Sequence, residues 1–306
     1  MLTRKPLVRI AQVLSMGTAA TLAAVALAPG ASAATYAVAC DEGALVSAIN
    51  AANSNPGPDT LNLAPGCVYT LHAQLPSISS QVTINGNGAT ITRDLGSGPF
   101  RILTVDGGQL TLRAVQLTNG DATGGNVQTG AGGAIVVTGP SATLNLSASV
   151  LRNNHANFGG GISNFSGSTT TVSVSTFTGN TAAVNGGAIV NDGTVTVGFS
   201  QISGNTADNV GGGIASIGKL TVNFTNVLNN TGTNGGGGGL ANGVPAAPGG
   251  TSTLTGSNVS NNHAGDNQPG GIYNNMGTVT LIGTRVAANT PNNCATSPTP
   301  VPGCVG

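Results

Sequence analysis

The sequence predicts an all-β protein, a single-stranded right-handed parallel β-helix of about eight coils with a short N-terminal capping helix. Three observations predict it. A Gly-Gly-small-aliphatic motif ends at Ile135, Ile162, Ile189, Ile214, Leu240 and Ile272, in steps of 27, 27, 25, 26 and 32 residues. Aliphatic and hydroxyl residues alternate between successive copies. Each cycle then sets an Asn three positions after an apolar residue. A period of this size marks a solenoid in which every repeat is one coil stacked on the last.

The columns can be read once the coils are aligned on Asn154, Asn180, Asn205, Asn230, Asn262 and Asn289. Three residues earlier stand Leu151, Phe177, Ile202, Val227, Val259 and Val286. Eight earlier stand Leu146, Val172, Val197, Val222, Leu254 and Leu281, each preceded by Asn145, Thr171, Thr196, Thr221, Thr253 or Thr280. Period-two alternation sends neighbours to opposite faces of a strand, so the aliphatic columns line a core and the Thr column faces water. One coil cannot bury its own apolar face, but coils stacked about 4.8 Å apart can. Each inward aliphatic residue then contributes about 1.5–3 kcal/mol. The Asn column is placed to bridge turn amides from coil to coil, as stacked amides do in other repetitive sheets. Earlier coils are expected through Leu110, Leu112 and Leu117, with Gly120 in the Asn position, and through Val82, Ile84 and Ile91.

Parallel strands joined by such short connections, without helical crossovers, favour a coiled sheet of right-handed sense. Composition fits, with 39% hydrophobic, 6% charged and 3% aromatic residues. A disordered Gly-rich tract would lack the periodic aliphatics. The glycines instead suit coil corners, where positive φ disfavours a Cβ.

Residues 1–33 read as an export signal, with Arg4, Lys5 and Arg9 before an Ala/Leu/Val-rich run that ends in Ala31-Ser32-Ala33. Removing it leaves six basic against nine acidic side chains and no basic stripe for nucleic acid. No later segment has the run of about 20 apolar residues that a membrane span requires. The expected location is therefore extracellular or in the cell envelope. In an oxidising compartment the four cysteines are expected as disulfides, and of the three possible connectivities the local pairs Cys40–Cys67 and Cys294–Cys304 are favoured. They fall in an N-terminal cap, 34–72, and a C-terminal tail, 291–306, that flank the β-helix at 73–290. Within the cap, Asp41 can start a short helix whose Leu45, Ala48, Ile49 and Ala52 share one face, and Asn53 to Pro58 stops it.

Gly-Gly-Ala-Ile at 132–135 and 186–189, with Phe177-Thr178-Gly179-Asn180 between them, resembles the GGAI and FxxN motifs of polymorphic outer membrane protein repeats. The cap helix, the Pro-Gly-Pro-Asp-Thr segment at 56–60 and the 82–91 coil are similar to the opening of secreted bacterial proteins of the pectin-lyase-like superfamily. The resemblance spans the mature chain and implies a right-handed parallel β-helix. Activity is a separate matter, because these motifs encode turns and ladders.

Enzymes on that fold that cleave polygalacturonate cluster Asp residues for Ca²⁺ or acid/base work beside an Arg or Lys. Here the densest charged patch is Arg93, Asp94, Arg101 and Asp106. Two opposite-charge pairs there would join the first coils to the cap. Alternatively, the arginines of a catalytic group Arg93, Arg101 and Asp106 would bind an acidic sugar in an adjoining groove. Asp121, Asp208 and Asp266 follow the ladder position and are the candidate Ca²⁺ ligands, although one carboxylate per turn is a sparse set. No other cofactor motif is present. His155 and His263 directly follow ladder asparagines four coil steps apart, about 19 Å, too far for a dyad. The column beside the Thr column, Ser147, Ser173, Gly198, Asn223, Thr255 and Ile282, is irregular, so a two-column binding plane is not expected.

Three functions follow in order. The first is a non-enzymatic adhesion or structural module with a polysaccharide or cell-surface ligand. The second is a polysaccharide lyase or glycoside hydrolase, and the third is passive carbohydrate or ice binding through the Thr face.

Overall fold

Over Thr194–Gly198 the side chains of Val195 and Val197 are buried while Thr194 and Thr196 point out, and the same alternation recurs at every rung above and below. In the computed structural model, which describes residues 32–124, 126 and 129–306, this pattern builds a parallel β-solenoid of the right-handed type. The export signal expected at 1–33 lies, apart from its last two residues, outside the described residues.

One coil shows the plan. Ile189–Asn191, Thr194–Gly198, Gln201–Ser203 and Thr206–Ala207 are four short strands joined by tight corners. Each strand pairs in parallel with its counterpart in the next coil, giving sheets of eight, ten, nine and six strands. Register is strict: Val172, Val197, Val222, Leu254 and Leu281 are successive partners, as are Phe177, Ile202, Val227, Val259 and Val286. The core is one cluster of these columns, which pinned register makes continuous from end to end.

The stack has about ten turns rather than eight. The additional rungs come from Thr35–Val38 and Asp59–Leu63, which pair with each other and with Gln81–Asn85 in the ten-stranded sheet. Val68–Leu71 likewise starts the nine-stranded sheet. These segments carry neither the Gly-Gly corner nor the ladder Asn, and a helix separates the first two.

That helix, Glu42–Ser54, starts at Asp41, whose side chain accepts from the Ala44 N–H at 2.7 Å. It buries Leu45, Ala48, Ile49 and Ala52 over the first rungs. Cys40 is bonded to Cys67, and Cys294 to Cys304. The tail returns over the last coil, where Asn293 accepts from Ile272 N–H and Val301 joins the core. The 32-residue step is explained by an antiparallel excursion in which Gly243 and Val244 pair with Pro248 and Ala247 outside the coil.

Two glycines of the repeated motif do different jobs. Gly186 has φ +67°, the left-handed region that residues with a Cβ resist. Gly187 has an ordinary φ, but a Cβ there would lie 2.2 Å from the Gly212 carbonyl oxygen of the next coil. The first glycine turns the chain and the second lets the coils touch.

Candidate functional site

The ladder asparagines are fully buried along the stack, with Asn289 at its end 6% exposed. Asn154 Oδ1 accepts the Gly120 N–H, and in every later one Oδ1 accepts both the backbone N–H and the Nδ2 of the Asn one coil earlier: Asn205 Oδ1 takes Asn180 N at 3.0 Å and Asn180 Nδ2 at 2.9 Å. Its own Nδ2 donates to Asn230 Oδ1 and to the Phe177 carbonyl. Asn154, Asn180, Asn205, Asn230, Asn262 and Asn289 thus form one chain of side chains, which Asn293 of the tail extends.

Two further ladders carry no obvious mark in the sequence. Asn164, Asn191, Ser216, Asn242 and Asn274 occupy one inward column of the eight-stranded sheet, with Asn164 Nδ2 to Asn191 Oδ1 at 3.1 Å and Asn242 Nδ2 to Asn274 Oδ1 at 2.9 Å. At the corner between the ten- and nine-stranded sheets, the hydroxyls of Ser149, Ser175, Ser200, Thr225 and Ser257 each accept a backbone N–H from the preceding coil. The residues before them are left-handed, among them Val174, Phe199 and Phe224, with φ 50, 51 and 47°. Such conformations cost about 1–2 kcal/mol in residues with a Cβ. These three side chains stand exposed in a ridge in which the Phe199 and Phe224 rings stack 5.2 Å apart.

The charged patch is arranged differently from the pairing expected. Arg93 is 9% exposed, and its ion pair is with Asp121, one coil on, at 3.7 Å rather than with Asp94. Its guanidinium also donates to the Asn119, Ser97 and Gly98 carbonyls, fixing the 94–100 loop. The Asp94 carboxylate accepts within its own turn from Gly96 N–H and the Ser97 hydroxyl. Arg101 donates to the Thr129 carbonyl, and burial pushes its guanidinium below the ordinary value. Asp106 is exposed and pairs in register with Thr138.

Asp121 and His155 are neighbours in one outward column of the six-stranded sheet that continues through Thr181, Thr206, Thr231 and His263. His155 Nδ1 is hydrogen-bonded to the Thr181 hydroxyl and His263 Nδ1 to that of Thr290. A shallow trough of about 530 Å³ brings Arg93, Asp121, His155 and Asp208 to one face. Asp121 and Asp208 sit three rungs apart there, and Asp266 lies in a separate exposed turn. Among the described residues no three His, Cys, Asp or Glu side chains are grouped to hold a metal ion.

The ten-stranded sheet presents the largest regular surface, and here the single-column expectation is corrected. The outward column Thr35, Thr60, Thr83, Thr111, Asn145, Thr171, Thr196, Thr221, Thr253 and Thr280 runs the length of the sheet. Beside it, on the side away from Ser147 and Ser173, runs a second: Thr143, Thr169, Thr194, Lys219, Thr251 and Thr278. Two columns of hydroxyls, interrupted by Asn145 in one and Lys219 in the other, about 6.6 Å apart with rungs about 4.8 Å apart make a plane. The exposed Val174, Phe199 and Phe224 ridge borders that sheet.

The class defined by this architecture is the parallel β-helix solenoid. Comparison with known protein families, curated proteins and solved structures gave no match. The two disulfides fit a non-reducing, extracellular-type environment. Among the described residues, no helix is long and apolar enough to cross a membrane.

Proposed function

We propose that this chain is an exported, non-enzymatic β-helix that acts as an adhesion module, holding an ordered polysaccharide or cell-surface glycan on its Thr face. The carrying observation is the pair of aligned Thr columns on the ten-stranded sheet. Hydroxyls fixed to a rigid ladder lose little freedom on binding a regular surface, so many weak hydrogen bonds add up. The bordering aromatic ridge adds apolar contact of the kind that sugar rings accept. The motifs shared with polymorphic outer membrane protein repeats, the pectin-lyase-like opening and the signal at 1–33 support export and envelope or extracellular placement.

The test is retention of the mature protein on insoluble polysaccharides, pectate gel, cellulose and chitin, with an ice-affinity arm. Replacing Thr194 and Thr196 by Tyr keeps both positions outward, should leave the circular dichroism spectrum unchanged, and should lower retention at least tenfold. Undiminished retention, or turnover of a uronate polymer with or without Ca²⁺, would overturn the reading.

A further inference from the structure

On the eight-stranded sheet the outward side chains of neighbouring rungs are Val190 and Ala215, where the ten-stranded sheet carries Thr. Corner residues rise on both sides. Phe158 comes from the corner with the six-stranded sheet, Phe165 and Asp192 from the opposite one, and Val244 of the excursion contributes to the lining. They border a half-open hollow of about 170 Å³ whose exposed surface is overwhelmingly apolar.

Asp192 is the one ionisable side chain in that lining. Among the described residues no Lys, Arg or His nitrogen lies within 4.0 Å of its carboxylate, since the ion pairs there join His72 to Glu42 and Arg93 to Asp121. A half-buried carboxylate among phenyl and aliphatic groups is an uncompensated charge. Burial accordingly holds its carboxyl above the ordinary value.

We infer that this hollow binds a small amine, with an apolar body of about one ring between Phe158 and Phe165 and its ammonium on the Asp192 carboxylate. Size, lining and charge each contribute. An apolar cavity of about 150 Å³ accommodates a benzene ring, so the volume suits one ring and excludes a polymer. The other polar side chains of the lining, Ser163, Asn164, Asn185 and Asn191, are buried, and the three asparagines are bonded within the solenoid, so a sugar would enter at the cost of its hydroxyls' water. The carboxylate selects a cation, and aromatic ring faces attract an ammonium as well. The site is separate from the Thr face and does not depend on it.

Benzylamine, benzyl alcohol and phenylacetate serve as probes on the mature full-length protein, by calorimetry and ligand-observed NMR. Benzylamine is expected to bind about tenfold or more tightly than benzyl alcohol, the usual gain from one charge-assisted hydrogen bond, and phenylacetate not at all. Asp192→Asn, nearly isosteric, should bring benzylamine down to the level of benzyl alcohol, and Ala215→Leu, which fills the hollow, should abolish both. If Ala215→Leu fails to fold, Asp192→Asn alone carries the test. The inference is overturned by absence of benzylamine binding at millimolar concentration, by equal affinity for the alcohol or the acid, or by binding that Asp192→Asn leaves unchanged.

Discussion

Replacing Asn205 by Ala should destabilise the protein far more than the loss of a small side chain implies. The residue is fully buried in mid-ladder. Its removal deprives the Asn180 backbone N–H and the Asn180 Nδ2 of a common acceptor, at 3.0 and 2.9 Å. The Phe177 carbonyl also loses a donor. Leaving a buried donor unpaired costs about 1–3 kcal/mol; Asn180 Nδ2 retains its bond to the Leu151 carbonyl and the Phe177 carbonyl stays in the parallel ladder beside Ile202, so the orphaned Asn180 N–H sets the total at about 1–3 kcal/mol. Against a typical stability of about 5–15 kcal/mol, that is a large fraction. Urea unfolding by circular dichroism reads the loss, and hydrogen exchange at the Asn180 amide locates it, because rungs of a solenoid can open locally. Asn205→Asp should be no better, since a carboxylate keeps the acceptor but loses both donors and buries a charge. A cost below about 1 kcal/mol for Asn205→Ala, or unchanged exchange at Asn180, would refute the ladder as a source of stability.

Gly187→Ala should prevent close coil stacking, because its Cβ would meet the Gly212 carbonyl oxygen at 2.2 Å and that oxygen is backbone; soluble expression and thermal midpoint would both fall, and a wild-type midpoint would contradict the packing described. At the cap, His72 Nδ1 lies 2.9 Å from Glu42 Oε2. The Glu42 carboxyl is pushed up by burial, but bonds from the His72 ring and from the His72 and Ala73 N–H groups outweigh this and leave it below its ordinary 4.5. His72 is held above its ordinary 6.5, chiefly by its bond to Glu42. The Glu42 contribution is present above pH 4.5 and lost as pH falls through the lowered value. That of His72 is present below pH 6.5 and lost as pH rises through the raised value. The difference in melting temperature between the wild type and Glu42→Gln should therefore be largest between those two values and shrink on either side; a difference flat with pH would sink the assignment.

The fold was legible wherever a residue type has one structural use. Val172, Val197 and Val222 alternate with hydroxyls and can belong only to a half-buried strand, and Asn180, Asn205 and Asn230 recur at one corner. Thr35–Val38 and Asp59–Leu63 escaped because they share the alternation without the corner markers. The inward Asn164 and Asn191 were hidden because a polar residue beside an aliphatic one ordinarily reads as outward, and Ser216 and Val137 interrupt the column. The site was less legible still, because its relations run along the stack. Arg93 finds Asp121 one coil away instead of Asp94 next door. The second Thr column lies on the side of Thr196 opposite to Ser173 and Gly198, and only the registered sheet shows Thr169, Thr194 and Thr251 in one file.

Asn180, Asn205 and Asn230 are spaced 25 residues apart in both intervals, and each meets the next through the same bonds. A duplication or deletion of one such interval, as arises when repeated DNA misaligns, would splice one ladder to itself without disturbing either end. The Thr face can therefore gain or lose a row in a single genetic event, and in this architecture the length of that face is something heredity can dial rather than redesign.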